Sequence, residues 1–158
     1  MDATPWLSDD EQRAWRGLAA VFLRLPGALE GQLQRDAGLS HFEYWVMALL
    51  SEADGRARRL RDLAAQANCS LSRLSHVVTR LERRGWVVRE PVPDDARSTY
   101  AVLTEDGFTQ VVAAAPGHVR AVRSLVFDAL DTADVADLER ICWAIVARLD
   151  TDAYAPRA

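Results

Sequence analysis

The chain has 158 residues, 49% hydrophobic and 27% charged, with only 14 glycines and prolines together. That length predicts a single folded unit with its own core, and that composition excludes a disordered, collagen-like or low-complexity protein. The net charge of −4 is unevenly spread: residues 56–97 hold ten arginines against five acids, and the remainder holds nine arginines against eighteen acids.

A basic middle between acidic arms is the footprint of a polyanion-binding element on a scaffold that is not itself basic. All nineteen cations are arginine, the side chain suited to bidentate contact with phosphate and guanine. No apolar run exceeds seven residues, as at 141–147, far below the roughly 20 that cross a bilayer. The first five residues, Met1-Asp2-Ala3-Thr4-Pro5, lack the pattern of a secretory signal, so a cytoplasmic location is expected. Cys69 and Cys142 suggest neither a zinc motif nor a disulfide framework.

In chain order, Trp15, Leu18, Ala19, Phe22, Leu23, Leu29 and Leu33 predict a long amphipathic helix over 6–36, kinked or split at Pro26-Gly27. Ser40 and Glu43 form a capping box for a second helix carrying Trp45, Val46, Leu49 and Leu50, ending near Asp54-Gly55. Leu60, Leu63, Ala64 and Ala67 mark a short third helix, and Asn68-Cys69-Ser70 reads as a tight turn.

Ser70 caps the fourth helix, the most informative segment. Leu71, Leu74, Val77, Val78 and Leu81 form one apolar stripe, and the other face carries Ser72, Arg73, Ser75, His76, Thr79, Arg80 and Arg83. A merely solvated face mixes signs, yet Glu82 is the one acid before Gly85, a C-cap residue. Short helix, turn and acid-poor helix make a helix-turn-helix whose second helix suits the major groove. Two strands follow, 86–90 and 98–103, joined by a Pro- and Asp-rich loop with Arg97 at its tip. This hairpin reads as a wing, and an Arg on a thin loop suits the minor groove. Thr104 then starts a helix expected to break at Pro116-Gly117 and resume to Ala129. Thr132 is expected to cap a last helix whose stripe of Leu138, Ile141, Cys142, Ile145, Val146 and Leu149 calls for a partner helix, most simply in a dimer.

The segment from Asp95-Ala96-Arg97 through Leu103-Thr104, preceded by Leu81-Glu82-Arg83-Arg84-Gly85-Trp86-Val87, resembles the wing signature of MarR-family regulators. The resemblance extends from about Trp6 to Leu149. It implies a mainly α fold with a small β-hairpin wing: a winged helix-turn-helix over 40–104 with N- and C-terminal dimerisation helices at 6–36 and 116–150, all in one domain. The family implies an obligate homodimer on an inverted-repeat DNA operator, usually a repressor, relieved by a small ligand or by oxidation. By that resemblance Arg97 is the minor-groove residue, Asp95 orients it or a neighbouring arginine, and Ser70, Ser72, Arg73, Ser75, His76, Thr79 and Arg80 belong to the recognition helix.

The other readings are weaker on the residues. Ser72 and His76 lack an acid to orient the imidazole, and no Gly-rich phosphate loop is present, so no enzyme is expected. His41 and His118 are the weak metal candidates, with Glu43 or Cys142 as a further ligand; Tyr44 and Trp45 stand where zinc-sensing relatives carry ligands, so no zinc or other cofactor is expected to be required. Cys69, near a helix N-terminus and Arg73, is positioned for a lowered pKa, whereas peroxide-sensing relatives place their cysteine in the first helix, where this chain has none. Trp15, Phe22, Tyr44, Trp45 and Phe108 are candidates for an aromatic effector site, although aromatics at helical spacing more often build core. The reading from a different class is a winged-helix protein-interaction module without direct DNA binding.

Overall fold

The computed structural model describes residues 4–93 and 95–149, with the backbone alone at Ala96 and Arg97. Helix α1 (Asp9–Ala37) begins three residues later than predicted, because Ser8 and Glu11 form a reciprocal capping box that leaves Trp6 outside. It runs unbroken through Pro26. Helix α2 (His41–Ser51) has the predicted Ser40–Glu43 box but stops short of Asp54, where a 3₁₀ turn (Asp54–Arg56) intervenes. A short strand, β1 (Ala57–Arg59), follows where none was expected. Helix α3 (Leu60–Gln66) and the turn at Asn68, a left-handed residue with φ 50°, lead into α4 (Leu71–Arg83), asparagine being among the residues that tolerate this conformation.

Helix α4 ends as its sequence suggests. Gly85 takes φ +74°, and the amides of Gly85 and Trp86 return to the carbonyls of Glu82 and Leu81, the Schellman arrangement. Strands β2 (Val87–Val92) and β3 (Asp95–Leu103) extend further into the expected loop than predicted, with a register shift between Pro91 and Val92. Pro91 is tolerated because β2 is an edge strand in the antiparallel order β1-β3-β2.

Helix α5 (Glu105–Leu125), capped by Thr104, is continuous through Pro116 and gives way to a 3₁₀ turn (Phe127–Ala129) instead of continuing to Ala129. Both Pro26 and Pro116 are exposed, so the carbonyl each releases one turn earlier can be hydrated, and the break expected at either site does not occur. Gly117 serves close approach instead: a Cβ there would meet the Gln32 amide at 3.2 Å and the Asp36 carboxylate at 3.3 Å on α1. Helix α6 (Thr132–Leu149) is capped by Asp131, which exchanges hydrogen bonds with Asp134, and Thr132 is its first residue.

The core lies under α4. Leu33 of α1, Leu39 in the link to α2, Val46, Met47 and Leu50 of α2, Leu63 of α3, Leu74, Val78 and Leu81 of α4, Val87 and Ala101 of the sheet, and Val111 of α5 make one cluster. The first turn of α5 is held against the root of the wing, where Thr104 donates through its amide to the Trp86 carbonyl and through its hydroxyl to that of Gly85. Helix α6 contributes no buried residue, and Trp15, Phe22 and Leu23 of α1, Val119 of α5 and Ile141 and Trp143 of α6 are exposed. Among the described residues no helix is long and apolar enough to cross a membrane.

Candidate nucleic-acid interface

Helix α4 lies on the core through Leu74, Val77, Val78 and Leu81. Leu71, predicted to join that stripe, is exposed, since it stands in the first turn beyond the reach of the core. The Ser70 hydroxyl accepts from the Arg73 amide at 3.2 Å and so serves as the cap. Ser72, Arg73, His76, Arg80 and Arg83 are placed on the outer face, and all five are exposed. Two of these are held in place: the Arg73 guanidinium lies 4.3 Å from the centre of the Phe42 ring, and Arg80 donates through Nε to Glu43 Oε1 at 2.9 Å.

Ser75 and Thr79 are placed differently. Both accept from Arg89 of β2, which reaches the Ser75 carbonyl at 2.9 Å, the Ser75 hydroxyl at 3.1 Å and the Thr79 hydroxyl at 3.2 Å, all in part-buried surroundings. The same guanidinium pairs with Glu82. The lone acid of the recognition helix is therefore neutralised within the fold. Sequence reasoning missed Arg89 and the second role of Glu43; the signal for Arg89 was an arginine within a strand, seven residues after the helix's one acid.

Arg56 pairs with Glu105 at 2.8 Å, and Arg59 of the unexpected strand β1 pairs with Asp95 at 3.5 Å. Asp95 thus engages a neighbouring arginine from the turn end of the hairpin, where it pairs with Val92. Arg97 lies in β3, and its side chain is outside the described residues. Arg61, Arg73 and Arg83 have no carboxylate partner among the described residues. The open groove beside α4 is lined by Glu30, Ser40, Phe42, Ser70, Ser72, Arg73, His76, Val77 and Arg80. Ser72 and His76 share that groove without a hydrogen bond between them among the described residues.

The five aromatic candidates are dispersed. Trp15 and Phe22 are exposed on α1, Trp45 is half-exposed on α2, and Tyr44 packs against His118 with ring centres 4.6 Å apart. Phe108 lies at the edge of the core under the Arg56 guanidinium, 3.6 Å from its ring centre. None of the five lines the groove beside α4 or the second cleft, between α1 and α5.

His41 and His118 do come together, their rings 5.6 Å apart. No third His, Cys, Asp or Glu among the described residues completes a metal site; Cys142 is exposed on α6, and Glu43 is committed to Ser40 and Arg80. Burial lowers the pKa of both histidines, with Glu30 opposing the shift at His41 and His41 adding to it at His118. The Cys69 thiol departs from expectation: burial pushes its pKa up and outweighs the opposing effects of Arg73 and the Leu74 amide.

The MarR family model matches residues 39–99, which contain the helix-turn-helix and most of the wing. The chain is similar to Sco3205, a MarR family transcriptional regulator from Streptomyces coelicolor solved in complex with DNA. The two are 40% identical and superpose with a TM-score of 0.92, over 96% of this chain and 95% of that one. The chain belongs to the MarR family.

A second MarR-family regulator from the same organism, AbsC, is also 40% identical, with a TM-score of 0.88 over 92% of this chain and 98% of AbsC. The transcriptional repressor MprA of Escherichia coli (strain K12) is 24% identical over 113 residues, 72% of this chain and 64% of MprA. The chain spans 64–66% of the length of the curated relatives it matches. The mainly helical architecture with its small antiparallel sheet is the winged-helix fold of the MarR family.

Proposed function

We propose that this MarR-family chain is a sequence-specific DNA-binding transcriptional regulator, a repressor acting in the cytoplasm, that occupies an inverted-repeat operator as a homodimer. The observation that carries the reading is the outer face of α4. Arg73, Arg80 and Arg83 are exposed there beside Ser72 and His76, and Glu82 is turned away onto Arg89. Such a face meets a phosphate backbone without repulsion and presents hydrogen-bonding groups to base edges.

Ser75 and Thr79 support the wing in this reading, while Arg97 is assigned to the minor groove and Asp95 to the turn end of the wing. A second copy is the proposed cover for the apolar faces of α1, α5 and α6, where Trp15, Phe22, Val119, Ile141 and Trp143 are exposed. Burying such a surface is what holds a symmetric dimer together. Of the five aromatic candidates, Trp15, Phe22 and Trp45 are exposed and free to line an effector cleft completed by that copy.

The test is selection of bound duplexes from a random library by the purified protein. The expected result is an enriched inverted repeat with half-sites about one helical turn apart. Failure to enrich any sequence, with binding to none at low salt, would move the protein-interaction reading to first place.

A further inference from the structure

Glu43 stands at the third position of α2 and is 8% exposed. Its two carboxylate oxygens have separate tasks: Oε2 accepts from the Ser40 amide at 3.0 Å, closing the capping box, and Oε1 accepts from Arg80 Nε at 2.9 Å. The Ser40 hydroxyl in turn accepts from the Glu43 amide at 3.1 Å. One carboxylate thus joins the start of α2 to the exposed face of α4, 37 residues further along the chain.

A capping box needs only one oxygen. A negative charge beside a DNA-facing surface weakens phosphate contact, so the second oxygen has a use only through what it fixes. The guanidinium is planar with five N–H donors, and anchoring Nε turns its outer edge, with the two terminal nitrogens, away from Glu43. That edge is the one that pairs in bidentate fashion with guanine O6 and N7. Arg80 remains half-exposed while so held.

We infer that Glu43 is a positioning residue for sequence recognition, orienting Arg80 so that its outer edge reads a base and not the backbone at large. The inference rests on the DNA-binding reading and deepens it. Glu43 touches no base; it acts by removing the rotational freedom of Arg80 before DNA arrives, which lowers the ordering cost of the specific contact alone.

The test is Glu43→Gln. The amide oxygen preserves the bond from the Ser40 amide, while the amide nitrogen cannot accept from Arg80. Binding is measured by fluorescence anisotropy against the inverted-repeat duplex that the selection yields and against a scrambled duplex, alongside thermal unfolding. The variant is expected to keep the wild-type unfolding midpoint within a few degrees. It is expected to lose about tenfold in preference for the selected duplex, the order of discrimination one good bidentate contact provides. Binding to the scrambled duplex is expected to be unchanged or tighter, because a negative charge has gone.

In an Arg80→Ala background the same substitution is expected to leave the preference where Arg80→Ala alone puts it. A wild-type preference retained in Glu43→Gln, or an equal drop in both backgrounds, overturns the inference while leaving DNA binding intact. A wild-type protein that enriches no sequence removes the DNA-binding reading and this inference with it.

Discussion

The Arg89 guanidinium, on the first wing strand, donates to both the carbonyl and the hydroxyl of Ser75 in the recognition helix, at 2.9 and 3.1 Å. The wing and the helix that would enter adjacent grooves are therefore a single rigid unit. Thr79 and Glu82 complete the site around the same guanidinium. Replacing Arg89 with Leu leaves the half-buried Glu82 carboxylate without its partner, while the Ser75 carbonyl keeps the Thr79 hydroxyl, and a destabilisation of about 2 kcal/mol is expected. Urea unfolding of Arg89→Leu beside Arg89→Lys measures it, with the lysine variant intermediate because one ammonium cannot meet all four acceptors.

Gly107 permits the first turn of α5 to rest on the wing root. A Cβ there would stand 2.1 Å from the Trp86 carbonyl oxygen, so Gly107→Ala must displace α5 or the strand. A destabilisation of about 1–3 kcal/mol is expected, in the range of an overpacked core. The same unfolding measurement reads it, and a neutral result would mean that α5 packs elsewhere.

The Ser40 and Ser70 caps and most of the recognition-helix stripe were legible in the sequence because they depend on neighbours along the chain: Ser40 with Glu43, Ser70 with Arg73, Leu74 with Val77 and Val78. Strand β1 was not, since Ala57-Arg58-Arg59 has no apolar alternation and is a strand only because β3 offers Tyr100, Ala101 and Val102 as partners. Pro26 and Pro116 misled for a related reason. Local propensity penalises both, yet packing of α1 against α5 keeps each helix whole, with Gly117 set into that contact. In the site itself the residue types were readable, but the turning inward of Ser75 and Thr79 depends on Arg89, a contact between elements that no helical periodicity encodes.

The two histidines predict an acid sensitivity. His41 and His118 face one another from α2 and α5, with Tyr44 against His118 and the Glu30 carboxylate accepting from the His41 amide at 2.7 Å. Burial lowers both pKa values from the ordinary 6.5, so the unfolded chain binds more protons through that window and stability rises with pH across it. Their contribution is complete above about pH 6.5 and disappears as pH falls toward the folded values. The thermal midpoint is expected to drop between about pH 7.5 and 5.5, and a His41→Gln, His118→Gln double variant is expected to flatten that part of the profile. A double variant with the wild-type profile would assign the sensitivity to other groups.

The exposed stripe of α6 gives a prediction about assembly. Ile141→Asp places a charge on the face proposed to meet a second copy, and α6 has no buried residue of its own to disrupt. Sedimentation velocity is expected to show a dimer for the wild-type protein and a monomer for the variant at micromolar concentration, with the helical signal retained. An unchanged dimer would place the interface on another surface.

Whether the outer face of α4 contacts DNA is decided by a salt series on the selected duplex with wild-type protein and Arg73→Ala. Wild-type affinity is expected to fall steeply with salt, and the variant is expected to bind more weakly. If Arg73 meets a phosphate, the log–log slope of the variant is shallower by about one unit, since one phosphate fewer is neutralised. If it meets a base, the slope holds and the preference over scrambled DNA shrinks. A variant with wild-type affinity, slope and preference would contradict the assignment of this face to DNA.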